Sequence, residues 1–167
     1  MQPIPTTFVA YVEDKPGVLN RVVSLLRRRN FNIISLNVGR THEAGVSRMT
    51  MVISCDTDTG RRIEANLYKL VNVLRVDNLS NQPSIDRALA LIKVAVTPGK
   101  RAEVLQLCEA FRGRTVHVGA ESIIVEASGP QSEVDSLVEV LRPYGLLEMV
   151  QTGTVSMARN TKIQDND

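Results

Sequence analysis

Tryptophan is absent from the chain, and aromatic residues make up only 4% of it. A core built here has to be aliphatic, and a sheet that binds RNA by stacking bases would have little to stack them on. Cysteine is as scarce. Cys55 and Cys108 each lie in an apolar run without CxxC spacing. They read as two small buried hydrophobes in a reducing compartment, not as a disulfide or a metal site. Neither of the two histidines, His42 and His117, has a Cys, His or carboxylate neighbour at metal-ligand spacing. No nucleophile elbow, Walker loop or dinucleotide-binding glycine pattern occurs, and no carboxylate pair stands out as acid and base. No apolar run approaches the roughly 18 residues that a membrane span needs. The N-terminus, Met1-Gln2-Pro3-Ile4-Pro5, lacks a basic region followed by an apolar one. Charge is not one-sided either, since 20 Lys+Arg against 18 Asp+Glu leaves a formal +2, too even to mark a nucleic-acid binder. These absences point to a soluble cytoplasmic protein that binds rather than catalyses.

What is present is periodicity. Phe8-Val9-Ala10-Tyr11-Val12 reads as a strand, and Val18, Leu19, Val22, Val23, Leu25 and Leu26 follow at helical spacing. Pro16-Gly17 therefore marks a strand-to-helix turn, with proline set for a first helical turn and glycine leaving the backbone open to close approach. The first amides of a helix lack partners within it, and the dipole there favours an anion such as an amino-acid carboxylate. An ordinary capped turn without a ligand has the same pattern. Phe31 to Val38 and Ser47 to Cys55 form a hairpin, the second strand alternating with Met49, Met51 and Ile53 on one side. Asp56-Thr57-Asp58-Thr59 offers N-cap residues for a helix with Ile63, Leu67, Leu70 and Val71 on one face, and Val73 to Val76 closes as a strand.

Asn78 to Ser84 has linker composition, and the order then starts again. Leu89 to Val96 is a strand and Thr97-Pro98-Gly99 a turn. Val104, Leu105, Leu107, Cys108 and Phe111 line a helix. Thr115 to Val118 and Ser122 to Ala127 make a second hairpin. Val134, Leu137, Val138 and Leu141 mark a helix ended by Pro143 and Gly145, and Leu147 to Met157 supplies a last strand. Pro16 and Pro98 stand 82 residues apart, as do Gly17 and Gly99, which suggests an internal duplication. The expected fold class is α+β, two ferredoxin-like βαββαβ units in tandem. The domains expected are 1–79 and 80–160, followed by a polar tail over 161–167. Units this small have thin cores and open sheet edges, so an oligomer is expected. Arg27-Arg28-Arg29 is the one basic cluster. It reads as a solvated helix end suited to the dipole, and contact with a large acidic protein partner stays open.

Residues Val12 to Val22, Arg29 to Val38, Ser47 to Thr50 and Leu67 to Val76 appear in the order and spacing of a known module. Over residues 4 to 79 the chain resembles an ACT domain, a small regulatory unit that binds amino acids. As a whole it resembles the small regulatory subunits of acetolactate synthase (acetohydroxyacid synthase). Leu91 to Val94 and Phe111-Arg112-Gly113 extend the likeness into the second half with lower specificity. The resemblance implies a subunit with no catalytic site, a homodimer joined through edge-to-edge ACT sheets, and effector sites at that interface. It implies a large catalytic partner that holds thiamine diphosphate, magnesium and FAD, with no cofactor in this chain. It further implies activation of that partner and feedback inhibition by valine, sometimes leucine or isoleucine, in branched-chain amino-acid synthesis. Neither nucleic acid nor membrane is an expected partner.

The family's effector pattern falls on Asp14, Gly17 and Val18 in the first turn and on Asn32 and Ile33 at the start of the second strand. Gly17 and Val18 would offer amides to the effector carboxylate, Asp14 or Asn32 would accept from its ammonium, and Leu19 and Ile33 would meet its aliphatic side chain. Many relatives carry Asn in place of Asp14, and a carboxylate there would repel the effector's own. Many also carry Glu in place of Ile34. Arg114 stands 82 residues beyond Asn32, so the second unit is expected not to bind the same ligand. The alternatives are a stand-alone amino-acid sensor acting on transcription or another enzyme, for which no helix-turn-helix is evident, and a small ferredoxin-like enzyme, which would need a reactive cluster.

Overall fold

Strand, helix and hairpin alternate in the first part of the chain as β1 (Ile4–Glu13), α1 (Val18–Arg28), β2 (Asn32–Arg40), β3 (Val46–Cys55), α2 (Thr57–Leu67) and β4 (Val73–Asn78). The computed structural model describes residues 3–160, so the polar tail expected over 161–167 lies outside the described residues. The strands run antiparallel in the order β2-β3-β1-β4. Phe8, Ala10 and Val12 of β1 and Met49, Met51 and Ile53 of β3 form one buried cluster with Val18, Val22 and Leu26 of α1 and Ile63 and Leu67 of α2. Burying each of these side chains larger than alanine contributes about 1.5–3 kcal/mol, and the period-four spacing on α1 gives that helix one apolar face. Asn30, left-handed at φ 57°, ends α1, and the Phe31 amide returns to the Leu26 carbonyl at 3.1 Å. Asp56 caps α2 by accepting from the Thr59 amide at 2.7 Å. That helix stops at Leu67, short of the expected Val71, which is 92% exposed. The Tyr68 hydroxyl bonds to the Val76 backbone there and turns the chain into β4.

The second unit repeats the plan with β5 (Ser84–Ala95), α3 (Arg101–Ala110), β6 (Arg114–Val118), β7 (Ser122–Gly129), α4 (Gln131–Gly145) and β8 (Leu146–Gln151), its strands ordered β6-β7-β5-β8. Ala90, Ile92, Val94, Ile123 and Val125 face Val104, Cys108, Val134, Leu137 and Leu141 in its aliphatic core. Two expectations are corrected. β5 begins five residues before Leu89, and Pro143 lies inside α4, which ends at Gly145 with φ 97°. A proline so near a helix end forfeits a single backbone bond.

The described residues divide into two compact units, one of residues 3–85 and 154–160, the other Asp86–Gly153. The strand expected over 147–157 is accordingly two, β8 and β9 (Val155–Ala158). Between them the Thr152 hydroxyl accepts from the Leu89 amide at 3.1 Å in the second unit. The Thr154 amide donates to the Ser35 hydroxyl at 2.9 Å in the first. The duplication shows in the backbone, where Asn30 and Arg112, 82 residues apart, end α1 and α3 with φ 57° and 56°. The two Pro-Gly turns differ, for Gly17 is left-handed at φ 82° whereas Gly99 is outside that region.

Candidate functional site

Gly17 is the N-cap of α1, and Pro16 precedes it outside the helix, two places earlier than a helix-initiating proline would stand. The Asp14 amide donates to the Gly45 carbonyl at 2.7 Å, the Val18 amide to Lys15 at 3.3 Å and the Arg21 amide to Gly17 at 3.0 Å. Among the described residues none accepts from the Gly17, Leu19 or Asn20 amides. No acid occupies the first turn of α1. Unpaired amides at the positive end of a helix dipole, with no carboxylate to fill them, form an anion-accepting corner. Of the two amides singled out in the sequence, that of Gly17 is open and that of Val18 serves the turn. Leu19 and Asn20 supply open amides instead.

Side chains brace this corner. The Val18 side chain is buried as an anchor in the core, while Leu19 is 42% exposed beside the open amides. Asp14 lies 3.7 Å from Arg40 Nε. The Asn72 amide donates to Glu13 at 2.5 Å and accepts from Arg21 at 2.5 Å, and Lys15 pairs with Glu13 at 3.0 Å. The Asn72 hydrogen bond first, and Lys15 second, hold the Glu13 carboxyl below its ordinary value of 4.5. This relay ties the turn to the connection between α2 and β4. Glu13 and Arg21 lie in the Val12 to Val22 stretch, but Asn72 carries no local signal that would join it to them.

Asn32 and Ile33 lie elsewhere. Asn32 pairs with Ser54 and Arg40 with Ser47, so the two ends of β2 are separated by roughly 26 Å at 3.3 Å per residue. The bond from Asp14 to Gly45 fixes the Gly17 turn at the Arg40 end. One chain thus brings Asp14, Gly17, Val18 and Leu19 together, and leaves Asn32 and Ile33 at the opposite end of the sheet. Ile33 packs half-buried against its own core. Ile34 is the extra residue of a bulge between Ile33 and Ser35 and is 54% exposed. β2 is an edge strand with one side of its backbone unpaired within this sheet.

The matching corner of the second unit differs in charge, not in its amides: those of Gly99, Ala102 and Glu103 also lack an acceptor among the described residues, but an acid stands in the first turn of α3. Glu103 in the first turn of α3 accepts from the Tyr144 hydroxyl at 2.6 Å and pairs with Lys100 at 3.1 Å. Those contacts, Tyr144 first, lower the Glu103 carboxyl and raise the Tyr144 hydroxyl. Arg114, which stands where the repeat places Asn32, pairs with Glu126 at 3.1 Å. Among the described residues no group of three or more His, Cys, Asp or Glu is placed to hold a metal ion, and no helix is long and apolar enough to cross a membrane.

Comparison with known proteins covers both units. A family model described as an AHAS small subunit-like ACT domain matches residues 8–75, and one described as the small subunit of acetolactate synthase matches residues 87–160. The chain is 43% identical over 160 residues to the acetolactate synthase small subunit of Mycobacterium leprae, covering 95% of each protein. It is 40% identical over 152 residues to that of Bacillus subtilis, covering 90% of this chain and 88% of the relative. The crystal structure of the acetolactate synthase small subunit from Thermotoga maritima superposes with a TM-score of 0.89 at 35% identity, covering 95% of this chain and 99% of that one.

Proposed function

Because the chain belongs to the acetolactate synthase small-subunit family, we propose that it is a regulatory, non-catalytic subunit of that enzyme. In this reading it raises the activity of a catalytic subunit and confers feedback inhibition by valine or another branched-chain amino acid. The observation that carries the reading is the likeness to small subunits along both units, at 43% identity over 95% of the chain. Thiamine diphosphate, magnesium and FAD belong to the catalytic partner.

The effector site follows from the separation along β2. Two copies paired antiparallel through their β2 edges set the Asn32 end of one against the Arg40 end of the other, which is the end that carries the Gly17 turn. The effector carboxylate then meets the open amides of Gly17, Leu19 and Asn20, and its ammonium meets Asn32 of the second copy or Asp14. Leu19 and the apolar residues near Ile33 receive the aliphatic side chain. Arg40, paired with Asp14, lowers the repulsion between that carboxylate and the effector's own. Valine acts by binding one arrangement of the dimer better than another, and coupling of this kind is typically about 1–3 kcal/mol.

The test is acetolactate formation by the catalytic subunit of the same organism, with and without this protein, across a valine titration. Stimulation that valine reverses supports the whole reading. Stimulation that no branched-chain amino acid affects removes the effector assignment and keeps the subunit role. An absence of stimulation and of binding overturns both in favour of an amino-acid sensor for another enzyme.

A further inference from the structure

Every charge on α1 is positive. The helix carries Arg21, Arg27 and Arg28, Arg29 caps it, and it contains no acidic residue. Asn20, Ser24 and Arg28 fall at spacing four, with Arg21, Leu25 and Arg29 beside them. Together with Leu70 these residues line a groove of about 400 Å³ on the outer surface of the helix. No carboxylate among the described residues forms an ion pair with Arg27, Arg28 or Arg29. Arg21 is held at one end of the groove by Asn72, while Arg28 and Arg29 are exposed at the other.

A helix C-terminus favours cations by about 0.3–1 kcal/mol each, which accounts for one or two of them in the last turn. It does not account for Arg21 near the first turn, where the dipole opposes a cation, nor for four like charges on so short a helix. The groove also has an apolar floor in Leu25 and Leu70 and extends roughly 13 Å along the helix from Asn20 to Arg29 at 1.5 Å per residue. That is longer than a single phosphate or carboxylate. Guanidinium groups suit carboxylates because they bind them through two parallel hydrogen bonds.

We propose that this groove docks an acidic segment of the catalytic subunit, with carboxylates against Arg28 and Arg29 and an apolar side chain against Leu25 and Leu70. The inference rests on the reading of the chain as a subunit of acetolactate synthase. Leu70, from the connection after α2, puts the groove on the side of α1 away from the β2 edge, so docking and pairing of two copies do not compete.

The test titrates the full-length protein against the catalytic subunit of the same organism at low and high salt, reading the dissociation constant and the association rate. Arg28→Glu/Arg29→Glu is expected to weaken binding at least about tenfold, to slow association and to flatten the salt dependence. Arg28→Gln/Arg29→Gln should fall between it and the unmodified protein. Arg142→Glu, in the second unit, should bind as the unmodified protein does. Circular dichroism and the thermal midpoint establish that the variants fold, and the Gln pair serves if the Glu pair does not. Unchanged affinity and salt dependence in a folded Arg28/Arg29 variant overturn the proposal. If the unmodified protein neither binds nor stimulates, the parent reading falls and takes this one with it.

Discussion

Arg21 and Glu103 stand 82 residues apart, the spacing that separates Gly17 from Gly99, and put opposite charges beside the first turns of α1 and α3. In the first unit the helix start keeps open amides with a cation nearby. In the second, the chain's own carboxylate sits at that start and is tied down by Tyr144 and Lys100. The two helix starts of the repeated plan thus differ in charge, one with a cation beside it and one with a carboxylate.

On the proposed function, this difference in charge predicts that the effector acts at the first unit. In the full-length protein, Gly17→Asp places a carboxylate against the open amides and should raise the half-inhibitory valine concentration more than about tenfold, equivalent to about 1.4 kcal/mol. Arg114→Asn, which restores the first unit's residue at the repeated position, should leave that concentration unchanged. A shift with Arg114→Asn, or none with Gly17→Asp, would move the effector to the second unit.

Because the Gly17 and Asn32 ends of one chain are far apart, a shared site makes a mixing prediction. Gly17→Asp and Asn32→Ala homodimers should both bind valine poorly. Dimers combining one chain of each contain one site in which both halves are unaltered, and should recover about half of the full stoichiometry by calorimetry. Failure of the mixed dimer to recover any binding would show that each site is built within one chain.

Gly17 and Gly99 separate backbone strain from crowding. An added Cβ meets nothing within 4 Å at either residue, but only Gly17 is left-handed. Gly17→Ala is therefore expected to cost about 1–2 kcal/mol from conformation alone, and Gly99→Ala to be close to neutral. Chemical denaturation of the two variants measures the difference.

Much of this arrangement is legible in local sequence. Alternation at Met49, Met51 and Ile53, the spacing of Val18, Val22 and Leu26, and the Asp56 cap are properties of a few neighbouring residues, and each fixes its element. The placement of Asn32 is not local. Its distance from Gly17 is set by strand register, which depends on pairing with β3 and on the bulge at Ile34. Val71 follows the helical period but lies inside the turn stapled by Tyr68 and Val76, a contact between residues eight apart. Asn72 reaches Glu13 across 59 residues. Residues that act through such long-range contacts look unremarkable in the sequence.

The Glu13 relay has a pH signature. A carboxyl lowered on folding contributes stability that is present above its unfolded value and lost as the pH falls through the folded one. The link between the Gly17 turn and Asn72 should accordingly weaken as the pH drops below the ordinary 4.5 through the depressed value. Asn72→Ala removes the largest cause and should return the Glu13 titration toward 4.5. The carboxyl chemical shift is the measurement to follow, since one partly exposed pair at a turn changes global stability little.

β9, the last strand among the described residues, clasps the sheet of the first unit. Arg48 lies on the sheet face opposite the helices, where its guanidinium stands over Tyr11 at 5.6 Å, donates to the Thr50 hydroxyl at 3.0 Å and donates to the Ser156 carbonyl of β9. Val9 and Thr50, paired across the strands on that face, are both buried, and so is Ser156. Hydrogen bonds from a charged donor contribute about 1.5–3 kcal/mol. Arg48→Ala should destabilise the full-length protein by about that much, and so should truncation after Gly153. The two losses should not add, because removing β9 removes the acceptor that Arg48 serves, and the shortfall measures their coupling. If Arg48→Ala costs the same in the truncated chain as in the intact one, then Arg48 stabilises the sheet through Tyr11 and Thr50 alone and β9 is held by other contacts.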